Sequence, residues 1–147
     1  MEIHSFNKRF SKQVSDLIRN TLREINSKDY SKEIIEKMCT RFSEVNIIKR
    51  ASNRQMMLMI EDEKVIGTAS LKDNIILTVF VSVDRQGKGI GTKLMRYLEE
   101  MASKKGFKKV TLPSSITSVS FYERLGYKII EEKINDFGKN IIMERML

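Results

Sequence analysis

A chain of 147 residues, 41% apolar and 31% charged, can bury about two-thirds of the surface that its unfolded form exposes, so one domain over residues 1–147 is expected. No apolar run approaches the ~20 residues that a membrane helix needs, which excludes a spanning helix. The single cysteine, Cys39, excludes an intrachain disulfide, and with His4 the only histidine, a His/Cys metal site is excluded as well.

The chain opens on Met1-Glu2-Ile3-His4-Ser5, without the basic and apolar regions of a signal peptide. With a lone thiol, a cytoplasmic location is the expectation. Ile3 and Phe6 suggest a short first strand. Val14, Leu17, Ile18, Thr21, Leu22 and Ile25 recur at helical spacing. Ile34, Ile35, Met38 and Phe42 do so again after the polar break Asn26-Ser27-Lys28-Asp29. Residues 56–60, 65–71 and 75–81 read as three strands joined by polar turns. A glycine-rich loop follows, then a helix with Ile90, Leu94, Leu98, Met101 and Ala102 on one face. A strand near residues 108–112 is expected to stop at Pro113, which has no N–H for a ladder. Ser114 or Ser115 is expected to cap a short helix bearing Tyr122, with Gly126 ending it. Residues 127–131 and 141–146 read as the closing strands.

The run Gln86-Gly87-Lys88-Gly89-Ile90-Gly91-Thr92 carries the most information. Three alternate glycines allow close approach to the backbone and unusual dihedrals. Placed between a strand and a helix N-terminus, they aim unpaired N–H groups and the positive end of the helix dipole at an anion, and the ligand suggested is a phosphate. The spacing matches neither the nucleotide-triphosphate loop nor the dinucleotide fingerprint. The order that does fit is Gln-x-x-Gly-x-Gly, which resembles the acetyl-CoA pyrophosphate loop of the GNAT superfamily of N-acetyltransferases.

A second segment strengthens that resemblance. Ser115-Ile116-Thr117-Ser118-Val119-Ser120-Phe121-Tyr122-Glu123-Arg124-Leu125-Gly126-Tyr127 is similar to the late motif of the family, Asn-x-x-Ala-x-x-Phe-Tyr-Glu-x-x-Gly-Phe/Tyr. Ser115 replaces an asparagine that touches the pantetheine arm, and Ser118 replaces an alanine, so that contact is expected to be rearranged. The resemblance implies a mixed αβ (α+β) GNAT fold, a mostly antiparallel twisted sheet of about seven strands flanked by about four helices. It also implies acetyl-CoA as co-substrate, without a metal, and an amine acceptor as the other partner. A homodimer is compatible with it.

By the same resemblance, backbone groups of Val79, Phe80 and Val81 meet the pantetheine and the developing oxyanion. Gln86, Gly87, Lys88, Gly89, Ile90, Gly91 and Thr92 hold the pyrophosphate, with Ser115 on the pantetheine. Tyr122 stands where the family commonly places the acid that protonates the leaving thiolate. Where one branch of the family has a glutamate base, this chain has Val110. Asn26, Asp29 and Tyr30 fall at the connection of the first two helices, where the acceptor site is expected.

Net charge is +8. Residues 85–109 hold eight Lys and Arg against Glu99 and Glu100. A positive field there suits a polyanionic coenzyme, and nucleic-acid binding is the competing reading. With no tryptophan and no recognition-helix motif, coenzyme attraction is favoured. Two other classes stay open: an acyl-CoA-binding regulatory module without turnover, and a ribosome- or nucleic-acid-associated protein.

Overall fold

The computed structural model describes residues 1–147. Seven strands form one sheet in the order β1-β2-β3-β4-β5-β7-β6, with β1 Glu2–Ser5, β2 Gln55–Glu61, β3 Lys64–Lys72, β4 Ile75–Val81, β5 Lys109–Ser115, β6 Lys128–Asn135 and β7 Gly138–Met146. Every neighbouring pair is antiparallel except β4 and β5. Helices α1 Ser11–Glu24, α2 Lys32–Thr40 and α3 Glu44–Ala51 precede β2, while α4 Ile90–Lys104 and α5 Val119–Arg124 flank β5.

Alternation along the strands sends side chains to two cores. Met57 and Met59 pack with Leu94, Met95, Leu98 and Ala102 of α4. Met56 and Leu58, one residue out of step, pack with Val14, Ile18, Ile35 and Ile47 of α1–α3. The same alternation divides β4, since Val79 and Val81 pack against the α4 core and Phe80 against the α1–α3 core. The sheet therefore separates two helical layers, and a passage between them must run through it.

Such a passage exists. β4 and β5 pair at one register position, Ile75 with Thr111, and diverge beyond it. On the other edge of β4, the register with β3 slips between Thr68 and Ser70. The slip leaves Thr78 at φ 50°, a left-handed conformation that a β-branched residue adopts only under constraint.

Several local expectations change. α3 was not foreseen, and Phe42 lies outside α2, between the two helices. With α3 present there are five α-helices. Pro113 does not end β5, which continues to Ser115 paired along β7. The β4 side of β5 is unpaired beyond Thr111, so a residue without an N–H is tolerated there. Neither Ser114 nor Ser115 caps α5. A 3-10 turn, Ile116–Ser118, intervenes, and Ser118 precedes the helix without a side-chain cap. Strands β6 and β7 are longer than expected because they continue into a tight hairpin.

Candidate active site

The diverging strands open a cavity of about 640 Å³ that reaches both layers. Its α4 end is made by the glycine loop. Gly87 and Gly89 have φ values of 73° and 81°, which L side chains rarely adopt, and Gly89 is the N-cap of α4. No acidic residue occupies the first turn of α4 and no side chain caps it, so its leading amides are free for an external anion. Gly91 serves another purpose. A Cβ there would lie 3.0 Å from Phe121 Cζ, so its lack of a side chain lets α4 pack against α5.

Gln86 turns back on the strand that precedes it. Its Nε2 donates to the Val81 carbonyl at 2.7 Å, and the Thr21 hydroxyl, whose nearer acceptor is the Leu17 carbonyl at 2.8 Å, lies 3.3 Å from the same oxygen. The Gln86 bond fixes the loop relative to β4 and leaves the loop's own amides uncommitted.

Val79, Phe80, Val81, Gln86, Gly87, Gly89, Ile90, Gly91, Thr92, Ser115, Tyr122 and Asn26 all line this one cavity. Three residues singled out in the sequence do not. Lys88 and Asp29 are exposed. Tyr30 is buried, and its hydroxyl accepts from the Ile116 amide at 2.8 Å and donates to the Lys139 carbonyl at 2.9 Å. That phenol joins the α1–α2 connection to β7 and to the turn before α5, which is an architectural task.

Tyr122 is buried, with Phe121 and Tyr127 edge-on at centroid distances of 5.1 and 5.9 Å. Its hydroxyl has no partner in the protein, and burial holds its pKa well above the usual phenol value. The group is therefore a proton carrier rather than a base at neutral pH. Ser115 Oγ donates to Ser118 Oγ at 3.2 Å, so both serines that depart from the motif are bonded to each other. Val110, where a base was sought, is fully buried in the α4 core.

Other lining residues carried no motif. Thr78 Oγ1 and Thr117 Oγ1 are buried without a hydrogen-bond partner. Orphaned hydroxyls of this kind in a cavity wall can take a water or a ligand as partner. On the α1–α3 side the wall includes Arg41, Phe42, Arg50, Arg54 and Phe137. They come from the α2–α3 connection, α3, the segment before β2 and the β6–β7 hairpin, so no local spacing could reveal them together.

The basic segment is partly neutralised. Arg85 pairs with Glu61 at 2.7 Å, Arg96 with Glu99 at 2.7 Å, Lys104 with Glu100 at 3.1 Å and Lys109 with Glu144 at 3.3 Å. No three His, Cys, Asp or Glu side chains converge as a metal site would require. No helix is long and apolar enough to cross a membrane.

Comparison with known proteins agrees with this fold. An uncharacterized acetyltransferase of Streptococcus pyogenes is 35% identical over 72 residues, and that match spans about half of each chain. A GCN5-related N-acetyltransferase structure from Rhodopseudomonas palustris superposes with a TM-score of 0.93 at 21% identity, covering 99% of this chain and 95% of that one. The PaiA N-acetyltransferase of Thermoplasma acidophilum, solved with coenzyme A, gives 0.82 at 24% identity, covering 99% and 98%. An aminoglycoside 6'-N-acetyltransferase complexed with coenzyme A gives 0.73 at 20%, covering 99% and 97%. These likenesses share the fold. The family model for the acetyltransferase (GNAT) domain matches residues 26–146. With that match over most of its length, the chain belongs to the GNAT acetyltransferase domain family.

Proposed function

We propose that residues 1–147 act as one N-acetyltransferase domain, moving the acetyl group of acetyl-CoA to a primary amine by direct attack in a ternary complex. The observation that supports this most is the passage through the sheet. It begins at the free amides of α4, follows the unpaired edge of β4 and opens among α1–α3.

Acetyl-CoA supplies a thioester, whose carbonyl takes the attack and whose sulfur departs as a thiolate. The residues present fit such a group. The amides at the start of α4 suit its pyrophosphate, and the β4 backbone at residues 79–81 suits an amide-bearing arm. The same backbone, held by Gln86, offers fixed donors to the developing negative charge. Thr117 and Thr78 bring hydroxyls that need a partner.

In this reading, Tyr122 delivers its hydroxyl proton to the leaving sulfur and recovers it from solvent. The cavity lining contains no carboxylate or imidazole. The amine accordingly enters neutral, or gives its proton to water.

Release of free coenzyme A thiol, measured against a panel of primary amines, tests the proposal. Amine-dependent release at a rate above thioester hydrolysis is expected. Tight binding of coenzyme A by calorimetry, with no amine-dependent release, would favour a regulatory binding module instead.

A further inference from the structure

Three arginines share the acceptor end of the cavity. Arg41 follows α2, Arg50 lies in α3, and Arg54 precedes β2. Two of them rest on aromatic rings of the same wall, Arg41 at 4.4 Å from the Phe137 centroid and Arg50 at 4.8 Å from the Phe42 centroid. Phe42 in turn meets Phe80 of β4 edge-on at 6.1 Å. A continuous path of contact thus leads from Arg50 to the strand edge where the thioester would lie.

The three guanidinium groups have hardly any protein partners. Arg50 Nε donates to the Arg41 carbonyl at 3.3 Å, and Arg54 Nε donates to Asn53 Oδ1 at 3.0 Å. No Nη atom of the three donates to a protein acceptor, and none of the three forms an ion pair. Each guanidinium offers five donors in a fixed fork, so most of that capacity is unspent. Like charges gathered on one wall repel one another, and Arg50 and Arg54, half-buried while Arg41 is exposed, also lose hydration. Burial, with Arg41 and Arg54 nearby, lowers the Arg50 pKa to about 10, and burial with Arg41 lowers that of Arg54. A protein tolerates this arrangement when an anion completes it.

The cluster is separate from the coenzyme's own phosphate site. It sits on the α1–α3 layer, whereas the glycine loop and α4 lie on the other side of the sheet. Asn26, Met38 and Phe137 complete the mouth, supplying an amide and apolar surface but no negative charge. A polycationic acceptor of the aminoglycoside kind would enter against like charge.

Resting on the transferase reading above, we infer that the acceptor amine is an anionic molecule whose carboxylate or phosphate is clamped by Arg41, Arg50 and Arg54. Its amine then faces the strand edge at Phe80, while the anion fixes the distance and direction of approach.

Matched pairs of amines test the inference: an α-amino acid against its amide, phosphoethanolamine against ethanolamine, and spermidine as a polycation. The acidic member of at least one pair is expected to show kcat/KM higher by about 10-fold or more, since one well-made charge-assisted contact is of that order. Which pair responds separates carboxylate from phosphate. Arg50→Gln with Arg54→Gln should bring the acid-to-neutral ratio close to unity, and Arg50→Lys should restore part of it. A preference for the neutral or polycationic member in the wild type, or a ratio unchanged in the double variant, overturns the inference and leaves the transferase reading standing.

A second measurement needs neither turnover nor a variant. Arginine Nε–Hε resonances of the wild-type protein, saturated with coenzyme A, are followed while phosphoethanolamine and glutamate are added. Saturable shifts at these arginines without acetylation of any amine would uphold the anion clamp and reject the transferase reading. No shift with either probe overturns the clamp.

Discussion

The Tyr30 hydroxyl accepts from the Ile116 amide at 2.8 Å and donates to the Lys139 carbonyl at 2.9 Å. One side chain from the α1–α2 connection thereby holds two parts of the C-terminal half, β7 and the turn that leads to α5. Tyr30→Phe removes only the oxygen and leaves a part-buried amide and carbonyl without that partner. Destabilisation of about 1–3 kcal/mol is expected by denaturant unfolding, with coenzyme and amine parameters weakened together. A rise in the Michaelis constant for the amine alone, at unchanged stability, would return Tyr30 to the acceptor site.

The glycines of the loop should respond differently to substitution. Gly89 is open to solvent but has φ 81°, so Gly89→Ala adds left-handed strain of roughly 1–2 kcal/mol at the N-cap and disturbs the amides proposed to meet the pyrophosphate. Gly91→Ala instead pushes a Cβ to 3.0 Å from Phe121 and shifts the wall that carries Tyr122. Calorimetry with coenzyme A should show lost affinity for Gly89→Val in a folded protein. Unchanged affinity would remove the loop from the binding site.

Thr78 combines strain with an orphaned hydroxyl, since φ is 50° and Oγ1 has no partner. Thr78→Gly relieves the backbone, and the greater chain entropy of glycine offsets that gain by roughly 0.5–1 kcal/mol. Stability should remain near that of the wild type while turnover falls. A stable variant with full turnover would show that the hydroxyl contacts neither substrate.

Tyr122→Phe keeps the ring among Phe121 and Tyr127. Turnover should drop about 10²–10⁴-fold, as for other positioned acids, with coenzyme affinity retained. Burial raises the Tyr122 pKa, so the hydroxyl keeps its proton past the usual phenol value of about 10. An alkaline limb assigned to Tyr122 should therefore be absent below about pH 10. Wild-type turnover by Tyr122→Phe would make the hydroxyl idle in the reaction.

Glu99 is buried, receives the Tyr127 hydroxyl at 2.7 Å and pairs with Arg96 at 2.7 Å and Arg145 at 3.4 Å. Glu99→Ala leaves the buried Tyr127 hydroxyl unpaired, while Arg96 and Arg145, 44% and 33% exposed, turn to water, and should cost about 1–3 kcal/mol. The Tyr127 pKa is raised by burial and by Glu99. A raised phenol keeps its proton in the folded state after the unfolded chain has lost it. That contribution is complete below about pH 10 and is lost above it. Alkaline unfolding curves should therefore fall less steeply in Tyr127→Phe than in the wild type, and equal slopes would contradict the shift.

How much was readable in advance follows from range. The loop from Gln86 to Thr92, the apolar face of α4 and the segment around Phe121 and Tyr122 are local patterns, and their dihedral and spacing demands are written in adjacent residues. They were sufficient for the family and for most of the residues that line one end of the cavity. The short α3 carries only a few apolar positions and was missed for that reason. Pro113 looked like a strand end because its tolerance depends on whether a neighbouring strand needs its N–H, and β4 has already turned away there. Tyr30 and Asp29 sit at the expected connection, but only packing decides that one phenol is spent on Ile116 and Lys139 and that the carboxylate points to solvent. The arginine group is the clearest case. Arg41, Arg50 and Arg54 belong to three different stretches of backbone, and their shared wall, with Phe42 and Phe137 beneath them, arises only when α2, α3 and the β6–β7 hairpin close over the splayed strands. Local sequence determines backbone conformation and one-face patterning, whereas the sign of the charge in a cavity is a sum over residues that meet only in the folded chain.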